Sequence, residues 1–364
     1  MAGVYLSFPF CAQKCTFCNF ASGVFAPELE RRYLEALRAD LAAFSWPWLP
    51  ETVYLGGGSP NRIPDRELAR LLALIPGRPW REATIEATPG AITPELARAW
   101  REAGIGRVSL GVQSFVQVEI ARTGRRHTAA RVAGDVALLR AAGIDNFNID
   151  LIAGLPGQTA ATWRESLDWV ERLAAPHVSV YMLEVDEDSR LGAEILRGGS
   201  RYGAAAIPPE ELVVELYGAA IERLASVGVA QYEISNFARP ERESIHNLKY
   251  WKLEPYAGFG ADAHSYDGSA RRRNVETPEE YVDHMEHGDS PCVETLPARH
   301  GEERFYLGLR LRSGMRPTAE EWLRFEAPIA RFAAEGLLET DGVTLRLTDR
   351  GVLLSNEVFQ EFLD

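Results

Sequence analysis

Cysteine is scarce in this chain. There are four in 364 residues, three of them crowded at positions 11, 15 and 18 and the fourth far away at Cys292. That distribution excludes a disulfide framework, which needs paired cysteines spread along the chain. Positive charge is also in deficit: 39 Lys and Arg face 52 Asp and Glu, a formal net charge of -13. Clustered cations are what neutralise phosphates, so no nucleic-acid partner is expected. No stretch of 18 apolar residues occurs, and the opening "MAGVYLSFPFC" has no basic segment ahead of an apolar run. Neither a spanning helix nor a secretory leader is expected, and the expected location is the cytoplasm. What remains is ordinary for a globular protein, 46% hydrophobic and 25% charged, and long enough for one large domain and a smaller one.

Short apolar segments alternate with amphipathic ones over the first two thirds of the chain. "VYLSF" (4–8), "TVYLG" (52–56), "ATIEA" (83–87), "RVSLGV" (107–112), "NFNIDLI" (146–152) and "HVSVYML" (177–183) read as strands. Between them lie helical stretches with start and stop signals. Thr93, Pro94 and Glu95 place a cap, a first-turn proline and an acid in order, and Gly104 closes that helix. Stretches 128–142 and 208–227 end in the same way at Gly143 and Gly228. The alternation predicts an α/β fold with a parallel sheet and right-handed crossovers. Too few units are visible for an eight-fold barrel, so residues 1–230 are expected to form a partial, open β/α barrel.

After residue 230 the periodicity fades. Residues 231–274 are rich in aromatics, Gly and His, and are expected to extend the barrel and line its pocket. Residues 275–364 regain helical signals, including Thr277-Pro278-Glu279 and a capping box of Thr318 with Glu321. They end in a hairpin with an Asp341-Gly342 turn and a last helix, the outline of a winged helix. From Met315 onward five Arg and no Lys face ten Asp and Glu, so a packing or lid role is expected there rather than DNA binding.

In such folds the chemistry sits where strands end and loops begin. The cysteines follow the first strand, "GGGSP" the second, "EATPG" the third, "GVQSF" the fourth and "DLIAGLPGQT" the fifth. The cysteines run C-x3-C-x2-C, through Cys11, Cys15 and Cys18. A closed zinc site needs four ligands, and no further Cys or His follows until His127. A redox pair needs only C-x-x-C and leaves Cys11 without a role. A [4Fe–4S] cluster held by three thiolates keeps one iron open for a small chelating molecule, and the spacing favours that reading over zinc or chance.

"CAQKCTFC" followed in register by "GGGSP" resembles the radical S-adenosylmethionine (SAM) superfamily, whose open iron binds the amino and carboxylate groups of SAM. The resemblance narrows to the oxygen-independent coproporphyrinogen oxidase-like branch and covers nearly the whole chain. It is carried by "YLSFPFC", "RVSLGVQSF", "TGRRH", "NIDLIAGLPGQT", "YEISNFARP", "HNLKYW" and "AHSY". The branch usually has His two residues after Tyr5, where this chain has Ser7. By that resemblance Tyr5 and Phe17 pack beside cluster and SAM, while Gly57, Gly58 and Ser59 hold the methionine end. Glu86, Gln113, Arg125 and Asp150 are implied to contact the rest of SAM. Acids, an amide and one Arg suit its ammonium, sulfonium, carboxylate and ribose diol.

Two functions lie within that branch: radical decarboxylation of coproporphyrinogen III propionates, and carriage of haem to other proteins. The oxidases continue the loop to C-x3-C-x2-C-x-C and carry an N-terminal extension before it. Here Phe20 occupies the last position, and Cys11 comes almost at once. "HNLKYW" (246–251) matches the H-N-x-x-Y-W signature of the haem-carrying group, with His246 as an axial ligand beside Tyr250 and Trp251. His264 is expected to be structural or to lie on the SAM side. The expected protein is therefore a haem chaperone, with radical decarboxylation as the alternative and SAM cleavage left open. Its implied partners are haem as cargo and haem-accepting proteins, respiratory ones among them, with peripheral membrane contact through those recipients.

Overall fold

Alternation of apolar and polar residues along each strand organises the molecule. In the computed structural model, which describes residues 2–363, six parallel strands stand side by side. They are β1 (Ala2–Phe8), β2 (Pro50–Gly57), β3 (Glu82–Ala87), β4 (Arg107–Gln113), β5 (Asn146–Ala153) and β6 (His177–Met182). One residue set, including Val4, Leu6, Val53, Leu55, Ile85, Val108, Ile149 and Leu151, is buried against the surrounding helices. The other set lines the lumen and is polar: Tyr54 bonds Glu86, Ser109 bonds Asp150, and Asn148 bonds Ser179 across neighbouring strands. The apolar set supplies the core, at about 1.5–3 kcal/mol per large side chain buried. The lumen is where chemistry can be placed.

Later segments add to both edges of this sheet. β8 (Asn236–Ala238) lies antiparallel against β6, with β7 (Ala230–Gln231) outside it. On the other edge β9 (Tyr256–Phe259) runs parallel to β1 and carries β10 (His264–Tyr266), β11 (Ala270–Asn274) and β12 (Cys292–Pro297) beyond it. The row runs from β12 to β7, an open barrel. The boundary expected near residue 275 falls inside this sheet, because β12 pairs in register with β11 from Ala270↔Pro297 to Arg273↔Glu294. β12 is mostly exposed and has no apolar run to announce it.

Helix ends obey the sequence signals. Thr93 accepts from Leu96 N at 3.2 Å, Gly104 takes a left-handed φ of 96°, and capping boxes form at Thr277–Glu280 and Thr318–Glu321. The last part of the chain packs helices His300–Gly308, Ala319–Arg324 and Glu326–Ala334 around Phe305, Phe325 and Phe362. A hairpin, β13 (Leu338–Thr340) with β14 (Leu345–Leu347), turns at Asp341, whose carboxylate accepts from Val343 N and Thr344 N. Two short helices, Asp349–Leu353 and Ser355–Gln360, complete it. This unit clasps the barrel through a Glu233–Leu311 bridge and the Arg310 guanidinium, 4.3 Å above the Trp251 ring.

Candidate functional site

The loop after β1 is held at several points. Cys11 N donates to Gly23 O at 2.7 Å, Gly23 N to Pro9 O at 2.9 Å, and Thr16 bonds the backbone of Arg122 and Thr123. Cys11 is buried, Cys15 and Cys18 are half-buried, and all three are free thiols. Arg125 Nε donates to Cys15 Sγ at 3.1 Å, a charged donor of the kind a thiolate ligand accepts. Burial pushes the Cys11 thiol up, so it ionises only against a compensating cation, which a metal centre supplies. Among the described residues no three His, Cys, Asp or Glu side chains converge on a single-ion geometry. A cluster spreads its thiolates over separate irons, and the three free thiols of this loop are donors of the kind it takes.

The "GGGSP" turn lies flush on the entry to this loop. Gly58 N donates to Phe8 O at 2.8 Å and Ser59 N to Phe10 O at 3.0 Å. A Cβ on Gly58 would sit 2.8 Å from backbone atoms of Pro9 and Phe10, so only glycine permits the contact. Gly57, at φ +107°, donates its N–H to Glu86 Oε2 at 3.2 Å. Glu86 also accepts from the Tyr54 hydroxyl at 2.9 Å. Burial, and then the charge of Asp150, push its carboxyl up to about 7. Asp150 accepts from Asn148 Nδ2 at 2.6 Å and Ser109 Oγ at 3.2 Å, and burial raises it too. Tyr5 stacks on Tyr54 with ring centres 6.1 Å apart.

At the end of β4 the register against β5 slips, and Gln113 takes a left-handed φ of 72°. Such a conformation in a non-glycine residue holds a side chain to a chosen direction at some cost. The Gln113 amide and the Arg125 guanidinium both border Gly111, where a Cβ would meet them at 3.3 and 3.1 Å. Arg125 Nη1 donates to Gly111 O as well as reaching Cys15 through Nε. Of the residues named from sequence, Gly57, Gly58 and Ser59 stand at the end of β2 against the thiol loop, Cys15, Gln113 and Arg125 join that loop to β4, and Tyr5, Glu86 and Asp150 lie within β1, β3 and β5 on the lumen side. Phe17 is half-buried within that loop, and Phe20 stands 69% exposed at its edge.

His246 lies elsewhere. The helix Ile245–Trp251 closes the opposite end of the barrel, where strands begin. Glu82, the first residue of β3, accepts from Ser244 Oγ, Ile245 N and His246 N at 3.0–3.2 Å. The His246 ring is 1% exposed; its Nδ1 meets Thr52 Oγ1 at 2.9 Å and its Nε2 meets the Tyr250 hydroxyl at 2.8 Å. It stacks on Tyr54, and burial lowers its pKa to about 3. Both ring nitrogens are engaged, Tyr250 lies edge-on to the imidazole, and Arg310 covers Trp251. His264 stands exposed at the start of β10.

Several residues that build the lumen were missed in the sequence: Tyr54, Glu82, Arg107, Asn148 and His177. Asn148 bonds Ser109, Asp150 and Ser179, and its Oδ1 meets His177 Nδ1 at 2.7 Å. A signal existed. "NFNID" sets polar residues at every second position of a strand whose other positions are apolar, the mark of a polar lumen behind an apolar wall.

A thiol loop after β1, a glycine turn after β2 and polar strand ends around an open parallel barrel define a radical SAM protein. The model of the radical SAM superfamily matches residues 5–170, and that of the HemN C-terminal domain matches 297–354. The chain is 33% identical to "Heme chaperone HemW" of Bacillus subtilis, over 100% of this chain and 99% of that protein. It is 35% identical to "Heme chaperone HemW" of Mycobacterium tuberculosis, over 99% and 94%. The chain belongs to the HemW family of radical SAM proteins. Coproporphyrinogen III oxidase (HemN) from Escherichia coli, a radical SAM enzyme, superposes with a TM-score of 0.84 at 20% identity over 99% of this chain and 89% of that one. That likeness shows the shared fold. Among the described residues no helix is long and apolar enough to cross a membrane.

Proposed function

We propose that this protein is a haem chaperone that binds haem and hands it to recipient proteins, on a scaffold that holds a [4Fe–4S] cluster and SAM. The observation that carries this reading is end-to-end similarity to relatives named for that function, with the "HNLKYW" segment present as the helix that closes the barrel. Cys11, Cys15 and Cys18 would hold the cluster. Bound there, a cluster with one open iron supplies a coordination site for SAM and an electron for its cleavage. Gly57, Gly58 and Ser59 present backbone and hydroxyl groups to the methionine end, while Glu86 and Asp150 offer carboxylates to cationic and hydroxyl groups. Arg125 and Gln113 orient the face next to Cys15, and Tyr5 and Phe17 wall it. Recipients would be haem proteins, respiratory ones included, met in the cytoplasm or at a membrane surface.

His246 can reach haem iron only when the Ile245–Trp251 helix leaves the floor, since both ring nitrogens are bonded within the protein. We place axial ligation in that opened state. The test is titration of anaerobically reconstituted protein with haem. A Soret shift is expected, weakened or altered in His246→Ala, while cluster absorbance stays. The same preparation given SAM, a reductant and coproporphyrinogen III should form no protoporphyrinogen IX. Multiple turnovers there, or an unchanged Soret band with wild-type protein, would overturn the chaperone reading.

A further inference from the structure

On the side of the barrel away from the cysteines, a cavity of about 490 Å³ opens between the starts of β3, β4 and β5. Four guanidinium groups line it, from Arg78, Arg81, Arg101 and Arg107, together with the Trp80 indole. Three of the four stand exposed at the mouth; Arg107 is 2% exposed at the bottom. Its Nε is buried with no hydrogen-bond partner in the protein, and so is Asn146 Oδ1 in the same wall. A buried guanidinium N–H without an acceptor is costly, and an anion is the partner that best removes the cost. The one acid in the lining, Glu82, already spends its carboxylate on Ser244, Ile245 and His246. The cavity is therefore a cationic basin with an aromatic wall, and the Arg78 guanidinium lies 4.4 Å over that indole.

We infer that this basin receives the propionate carboxylates of haem, with Arg107 and the mouth arginines as their partners and Trp80 against the edge of the macrocycle. The inference rests on the haem reading above and gives it a location. Two carboxylates suit several guanidiniums, each a planar fork for one carboxylate. The volume lies in the range that holds a cofactor-sized ligand. The basin is also joined to the "HNLKYW" helix twice. Glu82 caps that helix at its start, and Arg81 pairs at 3.2 Å with Glu51, which in turn accepts from the buried Lys249. A carboxylate that draws Arg81 from Glu51 loosens the hold on Lys249, next to the residues that must move to free His246.

The experiment crosses a change in the ligand with a change in the protein. Wild type and the double variant Arg78→Glu/Arg101→Glu are each titrated with haem and with haem dimethyl ester, whose propionates carry no charge. Both substitutions lie on the exposed mouth, so folding and cluster absorbance should be unchanged. Esterification is expected to weaken binding to wild type by about 10- to 100-fold, the size of a lost charge-assisted bond or two. The double variant should bind haem weakly and lose little more when the ester replaces it. Equal wild-type affinity for haem and ester overturns the basin while haem binding stands. So does a variant that keeps wild-type haem affinity. Absence of any haem binding by wild type overturns the basin and the chaperone reading together.

Discussion

At the cysteine end of the barrel the functional groups range from buried (Cys11, Ser59, Gln113) to half-buried (Cys15, Cys18), three thiols are free, and glycines hold backbone close without filling space. At the base, His246, His177, Asn148 and Lys249 are buried: the His246 ring bonds Thr52 and Tyr250, His177 bonds Asn148, and Lys249 bonds Glu51 and Glu254. The first end offers free thiols and close backbone; the second is a plug bonded largely within the protein. Among the described residues, buried polar atoms without a partner remain at the base too, Arg107 Nε, Asn146 Oδ1 and Trp251 Nε1 among them, and of these the Arg107 Nε–H is the donor that faces the arginine-lined cavity. Buried polar networks that are complete hold one conformation, and incomplete ones point to a ligand.

The largest expected effect tests whether the cysteine end is organised around three ligands. Replacing Cys11, Cys15 or Cys18 with Ala should abolish the cluster absorbance band, whereas Cys292→Ala should leave it intact. Cys292 lies on the outermost strand of the sheet, where its thiol bonds locally to Glu294 O and Thr295. Equal loss from Cys292→Ala would break the contrast between the two regions at its root.

The next effect belongs to the base. Glu82→Ala removes the acceptor for three donors at the start of the Ile245–Trp251 helix. Unsatisfied buried donors cost about 1–3 kcal/mol each, and partial relaxation leaves an expected loss of about 2–5 kcal/mol, read from denaturant midpoints. Cluster loading should survive, because the cysteine loop lies at the other end of the strands. An unchanged midpoint would mean that the plug is held by something other than Glu82.

These two ends also differ in how far the sequence disclosed them. The cysteine end is written locally: C-x3-C-x2-C and GGGSP each occupy a few consecutive residues at or just after the end of a recognisable strand, and Glu86 and Asp150 sit within one. Period-two alternation disclosed the six parallel strands to within a residue or two. The base is assembled from first residues of strands and from a helix some 160 residues away, so Glu82 and Ser244 share no local pattern. "HNLKYW" could be matched as a motif, yet nothing in six residues tells that its histidine faces inward. Burial is decided by Thr52 on one side and Tyr250 on the other. β12 stayed hidden for a related reason, since an exposed edge strand needs no apolar face.

The smallest effect sharpens the comparison through pH. Burial and the neighbouring Asp150 raise the Glu86 carboxyl from its ordinary 4.5 to about 7 in the unliganded protein. A raised carboxyl binds a proton that the unfolded chain releases. Its contribution to stability is full below about pH 4.5 and is lost as pH rises through about 7. On the proposed contact between Glu86 and SAM, the cationic groups of SAM would favour the ionised carboxylate, so SAM binding below pH 7 would expel a proton. Affinity should therefore be about tenfold weaker at pH 6 than at pH 8, and level above that, measured by equilibrium titration of the reconstituted protein. Glu86→Gln should bind about tenfold more weakly at pH 8 and lose the slope between pH 6 and 8. A wild-type profile that is flat across this range would place the Glu86 carboxylate outside the SAM contacts. His246, held near 3 at the base, adds nothing to the slope in this window, so the slope reports on the cysteine end alone.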